Sequence, residues 1–152
     1  LANIPEMLPS GILGAPLVEA ASNPTIRQAM DRASIEAYRL AKALGVTFMP
    51  SLGIAPEDVP DSEQYSLDLL DAVLARFSQP TTRVAVLQDW DKGRRAELDA
   101  FSGYVVKKGR EIGMPTPVNQ AIVDIAMRIE SGELTPSWEN QGLLVAAGQS
   151  GS

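Results

Sequence analysis

The stretch from Leu87 to Gly132 constrains the fold most, because it carries two amphipathic helical patterns separated by a proline-containing turn. From Ala96 onward, apolar residues fall on one side of a 3.6-residue period, and small residues share that side. This stripe contains Leu98, Phe101, Val105 and Ile112, with Ser102 and Gly109 as its small members. The spacing predicts a helix that a neighbouring helix can approach closely.

The end of this helix and the start of the next are marked by turn residues. Gly113 is predicted to close the first helix, because glycine readily adopts the left-handed backbone conformation found after many helices. Thr116 is then predicted as N-cap and Pro117 as the first residue of a second helix that ends at Gly132. The residues that this second helix would bury are Val118, Ile122, Ile125 and Ile129.

A long helix is predicted upstream, with Asn23 as its cap, Pro24 as its first residue and Gly45 at its end. Its apolar stripe is rich in alanine and consists of Ile26, Met30, Ala33, Ala37, Leu40, Ala41 and Leu44. Two pairs of opposite charge follow at i,i+4 spacing, Arg27 with Asp31 and Arg32 with Glu36. Such pairs contribute only ~0.2–0.5 kcal/mol each, so we interpret them as solubilising charges and the helix as scaffold.

The segments on either side of this helix are predicted to be less regular. Residues 1–14 are interpreted as the end of a helix followed by a tight turn at Pro9-Ser10-Gly11, and residues 15–22 as a connector. Residues 46–60 contain three prolines and are predicted to form a loop. Its apolar residues fit either a cleft or packing within their own domain; they are Met49, Leu52 and Ile54.

Two further helices and a short C-terminal helix complete the predicted architecture. Asp61 is predicted to cap one helix, with Gln64 completing a capping box. Thr81 or Thr82 is predicted to cap another that runs through Trp90. Residues 135–139 predict a short helix, with Trp138, Leu143 and Leu144 docking on the core. The whole predicts an all-α bundle: a single domain over residues 1–148 with a flexible tail at 149–152.

Composition limits the classes of function. A chain of 152 residues is the size of one domain, and a net charge of −6 argues against a nucleic-acid partner. The absence of cysteine and histidine removes the commonest metal ligands and nucleophile–base pairs, so no metal site is predicted. No apolar run reaches the roughly 18–20 residues that span a bilayer. These features are compatible with a cytoplasmic protein.

Several motifs in register resemble the C-terminal region of ketopantoate reductases (2-dehydropantoate 2-reductases). They are LQD at 87–89, Gly-Arg at 93–94, AELDAFSG at 96–103 and VVKKGREIGMPTPVNQA at 105–121. The resemblance is specific over residues 86–129 and looser from Asn3 to Gly45. It implies an all-α substrate domain like the C-terminal domain of phosphogluconate dehydrogenase-like enzymes, which follows a Rossmann domain absent from this chain.

The resemblance also implies an activity. Ketopantoate reductases use NADP, bound mainly by the Rossmann domain, to reduce a small 2-oxo acid in pantothenate biosynthesis. We therefore expect this chain to be part of a longer oxidoreductase, inactive alone, and able to form a homodimer. A non-catalytic helical module that dimerises or docks a partner is the alternative.

Glu97 is the candidate catalytic residue. The resemblance implies that it binds the substrate hydroxyl and assists proton movement near the reacting carbon. From the residues alone, a carboxylate beside an apolar stripe is partly removed from water, which suits acid–base chemistry near neutral pH. An ordinary surface glutamate in the first turn of a helix is the other interpretation, because the helix dipole favours an acid there.

The resemblance implies four substrate-binding candidates, namely Asn3, Gln88, Asp89 and Ser102. Asn3 takes the place of a family asparagine that follows the catalytic lysine by four residues, so that lysine would precede Leu1. Gln88 and Asp89 match the family but also suit a role in bracing the following turn. Three positions depart from the family pattern and leave the substrate open: Ser102, Met7 and Ala85.

Overall fold

The computed structural model describes residues 1–54 and 61–150, and over those residues the chain is all-α, as predicted. The helices are α1 (Ile4–Leu13), α2 (Leu17–Ser22), α3 (Pro24–Ala43), α4 (Gln64–Phe77), α5 (Ala85–Asp91), α6 (Ser102–Glu111), α7 (Pro117–Glu130) and α8 (Gln141–Gln149). Short 3₁₀ helices at Leu98–Ala100 and Trp138–Asn140 precede α6 and α8. Among the helices described, none is both long and apolar enough to cross a membrane.

The core lies where α1, α3, α7 and α8 pack together. Its fully buried side chains include Leu8, Ile12, Ile26, Met30, Ile122 and Leu144. Ala29, an α3 residue outside the predicted stripe, allows α8 to approach closely: a methyl group added to Gly148 on α8 would lie 3.1 Å from Ala29 Cβ. Trp138 and Leu143 pack against this core as predicted, and Gln149, which was assigned to the tail, is the last residue of α8.

The predicted limits of α3 are confirmed. The Asn23 side chain accepts hydrogen bonds from Thr25 N (3.1 Å) and Ile26 N (3.3 Å), so two of the free amides at the start of the helix are satisfied. Pro24 is the first helical residue, and Gly45 has a φ of +74° just after the helix. Gly113 and Gly132 close α6 and α7 in the same way, with φ of +72° and +79°.

The turn predicted at Pro9-Ser10-Gly11 is wrong, because α1 continues through these residues to Leu13. Gly11 does not form a turn but lets α1 pack closely against α5: a Cβ added there would lie 3.0 Å from Val86 Cγ1 on α5. The turn comes at Gly14, which has a φ of +63°. Residues 15–22 were predicted to be a connector, but Leu17–Ser22 of this segment form the helix α2.

The helix predicted from Ala96 begins six residues later, at Ser102. The intervening chain turns sharply, and a Cβ added to Gly103 would lie 2.5 Å from the Leu98 carbonyl oxygen. Only a residue without a side chain fits this approach. Glu97 therefore does not lie in a first helical turn, and Ile112, expected in the buried stripe, is 44% exposed.

Three predicted side-chain caps are wrong. In two of them the side chain makes other hydrogen bonds, and in the third a residue of another helix caps the helix start. Asp61 accepts hydrogen bonds from the Tyr38 hydroxyl and Lys42 Nζ instead of capping α4, which begins at Gln64. Thr82 Oγ1 accepts from Gln79 N, and α5 begins after Val84. Residues 46–54 are irregular, as predicted for the loop, and residues 55–60 of that prediction lie outside the described residues.

The third of these caps is the most informative. Thr116 occupies the N-cap position of α7 without a side-chain hydrogen bond to the helix, and Glu36 of α3 takes over this role. Its carboxylate accepts from Val118 N (2.9 Å), Asn119 N (2.9 Å) and Asn119 Nδ2 (2.8 Å). Glu36 is 9% exposed, so its interpretation as a solubilising charge is corrected. The negative charge instead meets the positive end of the α7 dipole.

We expect Glu36→Ala to lower the free energy of unfolding by about 3 kcal/mol, because buried amide donors of α7 lose their acceptor. Urea denaturation of the chain measures this change. Glu111→Ala is the matched control, since this residue makes an exposed ion pair with Lys108 and its loss should leave the urea midpoint nearly unchanged. Equal midpoints for the two variants would contradict the assigned role of Glu36.

Candidate functional site

Glu97 lies in a groove of about 790 Å³ between the segment 95–100 and the outer face of α7. The α7 side of the groove is formed by Val123, Met127, Glu130 and the following Ser131. The Glu97 side chain is exposed rather than partly removed from water as predicted, because the helix expected to carry it starts only at Ser102. A small molecule in the groove can therefore reach its carboxylate. The groove is thus a cleft with an accessible acid at its edge.

The segment that carries Glu97 is irregular, and two backbone contacts hold the residues just before Glu97. Gly93, with a φ of +67°, closes α5, and Arg94 N donates to the Asp89 carbonyl oxygen at 2.9 Å. Two residues later, Ala96 N donates to Glu130 Oε1 at 2.8 Å. The position of Glu97 therefore depends on the turn after α5 and on a carboxylate from the end of α7.

The four predicted substrate-binding residues do not line this groove. Asn3 is exposed at the start of α1, and Gln88 Nε2 donates to the Arg83 carbonyl oxygen at 2.9 Å. Asp89 is half-buried and braces the α5 turn through its carbonyl group. Ser102 is fully buried, and its hydroxyl has no hydrogen-bond partner within the described part of the chain.

A second, largely apolar cavity of about 480 Å³ lies elsewhere, where the start of the chain meets the end of α3, the loop 46–51, α4 and α6. Ala2 and Ile4 line it on either side of Asn3. Of the loop residues whose role was open, Met49 lines this cavity and is 70% exposed. Leu52 and Ile54 instead pack against the aromatic cluster of Tyr38, Phe48 and Tyr65.

Glu6 is an ionisable residue that the sequence analysis missed. It lies on α1, three residues after Asn3, and is 2% exposed. Its Oε2 atom is buried without a hydrogen-bond partner in the described structure. Desolvation raises the pKa of this carboxyl from 4.5 to about 7. The available signal was an acid placed among the apolar and proline residues of α1, but the same pattern also occurs at exposed helix starts.

The described residues contain neither the phosphate-binding turn of a Rossmann fold nor a cluster of potential metal ligands. Gly11 and Gly14, the glycines of the N-terminal segment, lie within α1 and at its end, and a Cβ on Gly14 would meet the Pro136 carbonyl oxygen at 2.9 Å. No strand leads into them, so they do not build the phosphate-binding turn of a Rossmann fold. Over the same residues, no group of three or more potential metal ligands occurs.

Comparisons with known proteins agree with the sequence resemblance. The family model described as "Ketopantoate reductase PanE/ApbA C terminal" matches residues 2–130. A 2-dehydropantoate 2-reductase of Archaeoglobus fulgidus is 38% identical over 50 residues, a match that covers 33% of this chain and 17% of that protein. No solved structure gives a significant match. The resemblance inferred from the LQD, AELD and TPVN motifs is confirmed.

The raised pKa of Glu6 predicts a pH-dependent stability. Between pH 4.5 and about 7 the folded chain keeps the proton that the unfolded chain has lost, so rising pH favours unfolding. We expect Glu6→Gln to raise the free energy of unfolding by up to about 3 kcal/mol at pH 8 and to change it little at pH 4. Urea denaturation of the variant and the parent at the two pH values measures this difference. Glu139→Gln, at an exposed position, is the control. A Glu6→Gln effect independent of pH would contradict the assignment.

Proposed function

Because the chain belongs to the ketopantoate reductase C-terminal family, we propose that it is the substrate-binding domain of an NADPH-dependent 2-oxo acid reductase. The substrate class is that of ketopantoate, which such an enzyme reduces to pantoate. The observation that carries the proposal is the family match over residues 2–130, which includes Glu97 and every residue lining its groove except Ser131. The rest of the enzyme, including a Rossmann domain and the catalytic lysine, would lie outside this chain.

In this proposal Glu97 is the catalytic residue of the chain. Its exposed carboxylate accepts a hydrogen bond from a substrate hydroxyl and helps to move a proton near the reacting carbon. Asn3 is the second candidate, as an exposed amide that can contact the substrate. Gln88 and Asp89 have roles within the α5 turn and Ser102 has no exposed surface, so the proposal rests on Glu97 rather than on these three.

The nicotinamide cofactor would be held by the other domain and would supply the hydride. The residues described here contribute no phosphate-binding turn, so their part is to bind and orient the substrate. The groove beside Glu97 combines an accessible carboxylate with apolar side chains, here Val123 and Met127. A small branched hydroxy acid presents matching groups to such a surface.

A partner-docking or dimerisation module is the second candidate. Several large apolar side chains around the apolar cavity are exposed, namely Leu44, Val46, Met49 and Tyr104. Exposed apolar patches mark interaction surfaces, and a domain of a larger enzyme would also present one. The full-length gene sequence separates the candidates: a glycine-rich strand–turn–helix upstream, with a lysine four residues before Asn3, identifies the enzyme.

We expect Glu97→Ala in the full-length protein to lower kcat/KM for NADPH-dependent ketopantoate reduction by about 10²-fold or more, because general acid–base groups contribute on that scale. Helical circular dichroism should not change. Glu139→Ala is the control, since it removes an exposed acid that does not line the groove, and kcat/KM should stay unchanged.

The 152-residue chain alone should not oxidise NADPH with ketopantoate. Turnover by this chain at the rate of the full-length protein would contradict the proposed division between domains. Unchanged turnover in the full-length Glu97→Ala variant would remove Glu97 from the site.

A further inference from the structure

We infer that Glu130 is a positioning residue for Glu97. Glu130 is the last residue of α7, and its carboxylate holds the backbone of the segment on which Glu97 is carried. The inference rests on the proposed function, because it assigns Glu130 a role only through the placement of Glu97. It adds a residue of this chain to the machinery of the same groove.

Two hydrogen-bond donors and one cation converge on the Glu130 carboxylate. Ala96 N lies 2.8 Å and Trp90 Nε1 lies 3.4 Å from Oε1, and Arg95 Nε lies 3.4 Å from Oε2. The Glu130 side chain is 9% exposed, whereas that of Arg95 is 88% exposed. The buried carboxylate therefore joins the end of α5 to the two residues that come just before Glu97.

These contacts fix the backbone at the residue preceding Glu97. The Ala96 amide donates to Glu130, and the Ala96 carbonyl oxygen accepts from Leu98 N at 2.9 Å. The Glu97 carbonyl oxygen accepts from Ala100 N at 2.9 Å. Glu130 supplies the anchor from outside the segment, and the other two bonds lie within it. Loss of that anchor would leave residues 94–97 attached to α7 only through weaker packing.

The place of Glu130 in α7 supports a role beyond helix stability. A carboxylate in the last turn meets the negative end of the helix dipole, which disfavours it. Its burial adds a desolvation cost. The two hydrogen bonds and the ion pair offset these costs, and their partners come from α5 and from the two residues before Glu97 rather than from α7. Glu130 also lines the Glu97 groove directly.

The test is a double-mutant cycle in the full-length protein, with kcat/KM for NADPH-dependent ketopantoate reduction as the readout. We expect Glu130→Ala to reduce kcat/KM about tenfold or more, because small displacements of a catalytic group are costly. Glu130→Gln should retain more activity, since its amide oxygen can still accept from Ala96 N. In a Glu97→Ala background, Glu130→Ala should change kcat/KM less than about twofold, because both variants remove the same contribution.

Glu133→Ala controls for charge, since Glu133 lies just beyond α7 and pairs with Arg128 away from the groove. Hydrogen exchange provides a second readout: the Ala96 amide should exchange about tenfold faster in Glu130→Ala while amides of the α7 core keep their protection.

The outcomes separate the two proposals. One outcome overturns the positioning role alone: Glu97→Ala loses activity, and Glu130→Ala lowers kcat/KM by the same factor whether or not Glu97 is present. Unchanged exchange at Ala96 would also overturn it. Full activity of Glu97→Ala would overturn the proposed function, and the inference about Glu130 with it.

Discussion

The architecture depends on the buried contact between the Glu36 carboxylate of α3 and the N-terminus of α7. Two backbone amides and the Asn119 side chain donate to this one group, and Asn119 Nδ2 also donates to the Ala33 carbonyl oxygen at 3.0 Å. This contact sets where α7 starts against the central helix. The other end of α7 carries Glu130, which accepts from Ala96 N beside Glu97. Carboxylates thus make hydrogen bonds at both ends of this helix, one to the helix start and one to the segment of the candidate site.

Much of the fold follows from local sequence. Helical spacing, the Asn23–Pro24 start and the closing glycines gave the correct helices for α3, α4, α5 and α7, because these signals act within one turn of the chain. The errors occur where tertiary contacts override local preference. Thr116 is a good capping residue, but Glu36 from another helix accepts the hydrogen bonds at the start of α7. Similarly, α6 starts after the predicted Ala96, where the chain turns so that Gly103 lies close to Leu98.

The candidate site was less accessible to prediction. Glu97 could be singled out because it lies within a recognisable motif. Its surroundings could not, because the other side of the groove is α7, about 20 residues later in the chain. Glu6, Glu36 and Glu130 are buried or nearly so, yet in a sequence with 19 acidic residues nothing local separates them from surface acids. Burial is a property of the packed chain, so only the three-dimensional structure distinguishes these three glutamates from the others.

The irregular run between α5 and α6 limits where the candidate groove can tolerate substitution. Leu98 and Phe101 of this run pack against the core, and Gly103 at the start of α6 leaves no room for a side chain, whereas Asp99 and Ala100 are exposed. A larger residue at Gly103 or a polar one at Leu98 would disturb the bundle itself, so the groove can be reshaped without cost to the frame only at its exposed positions.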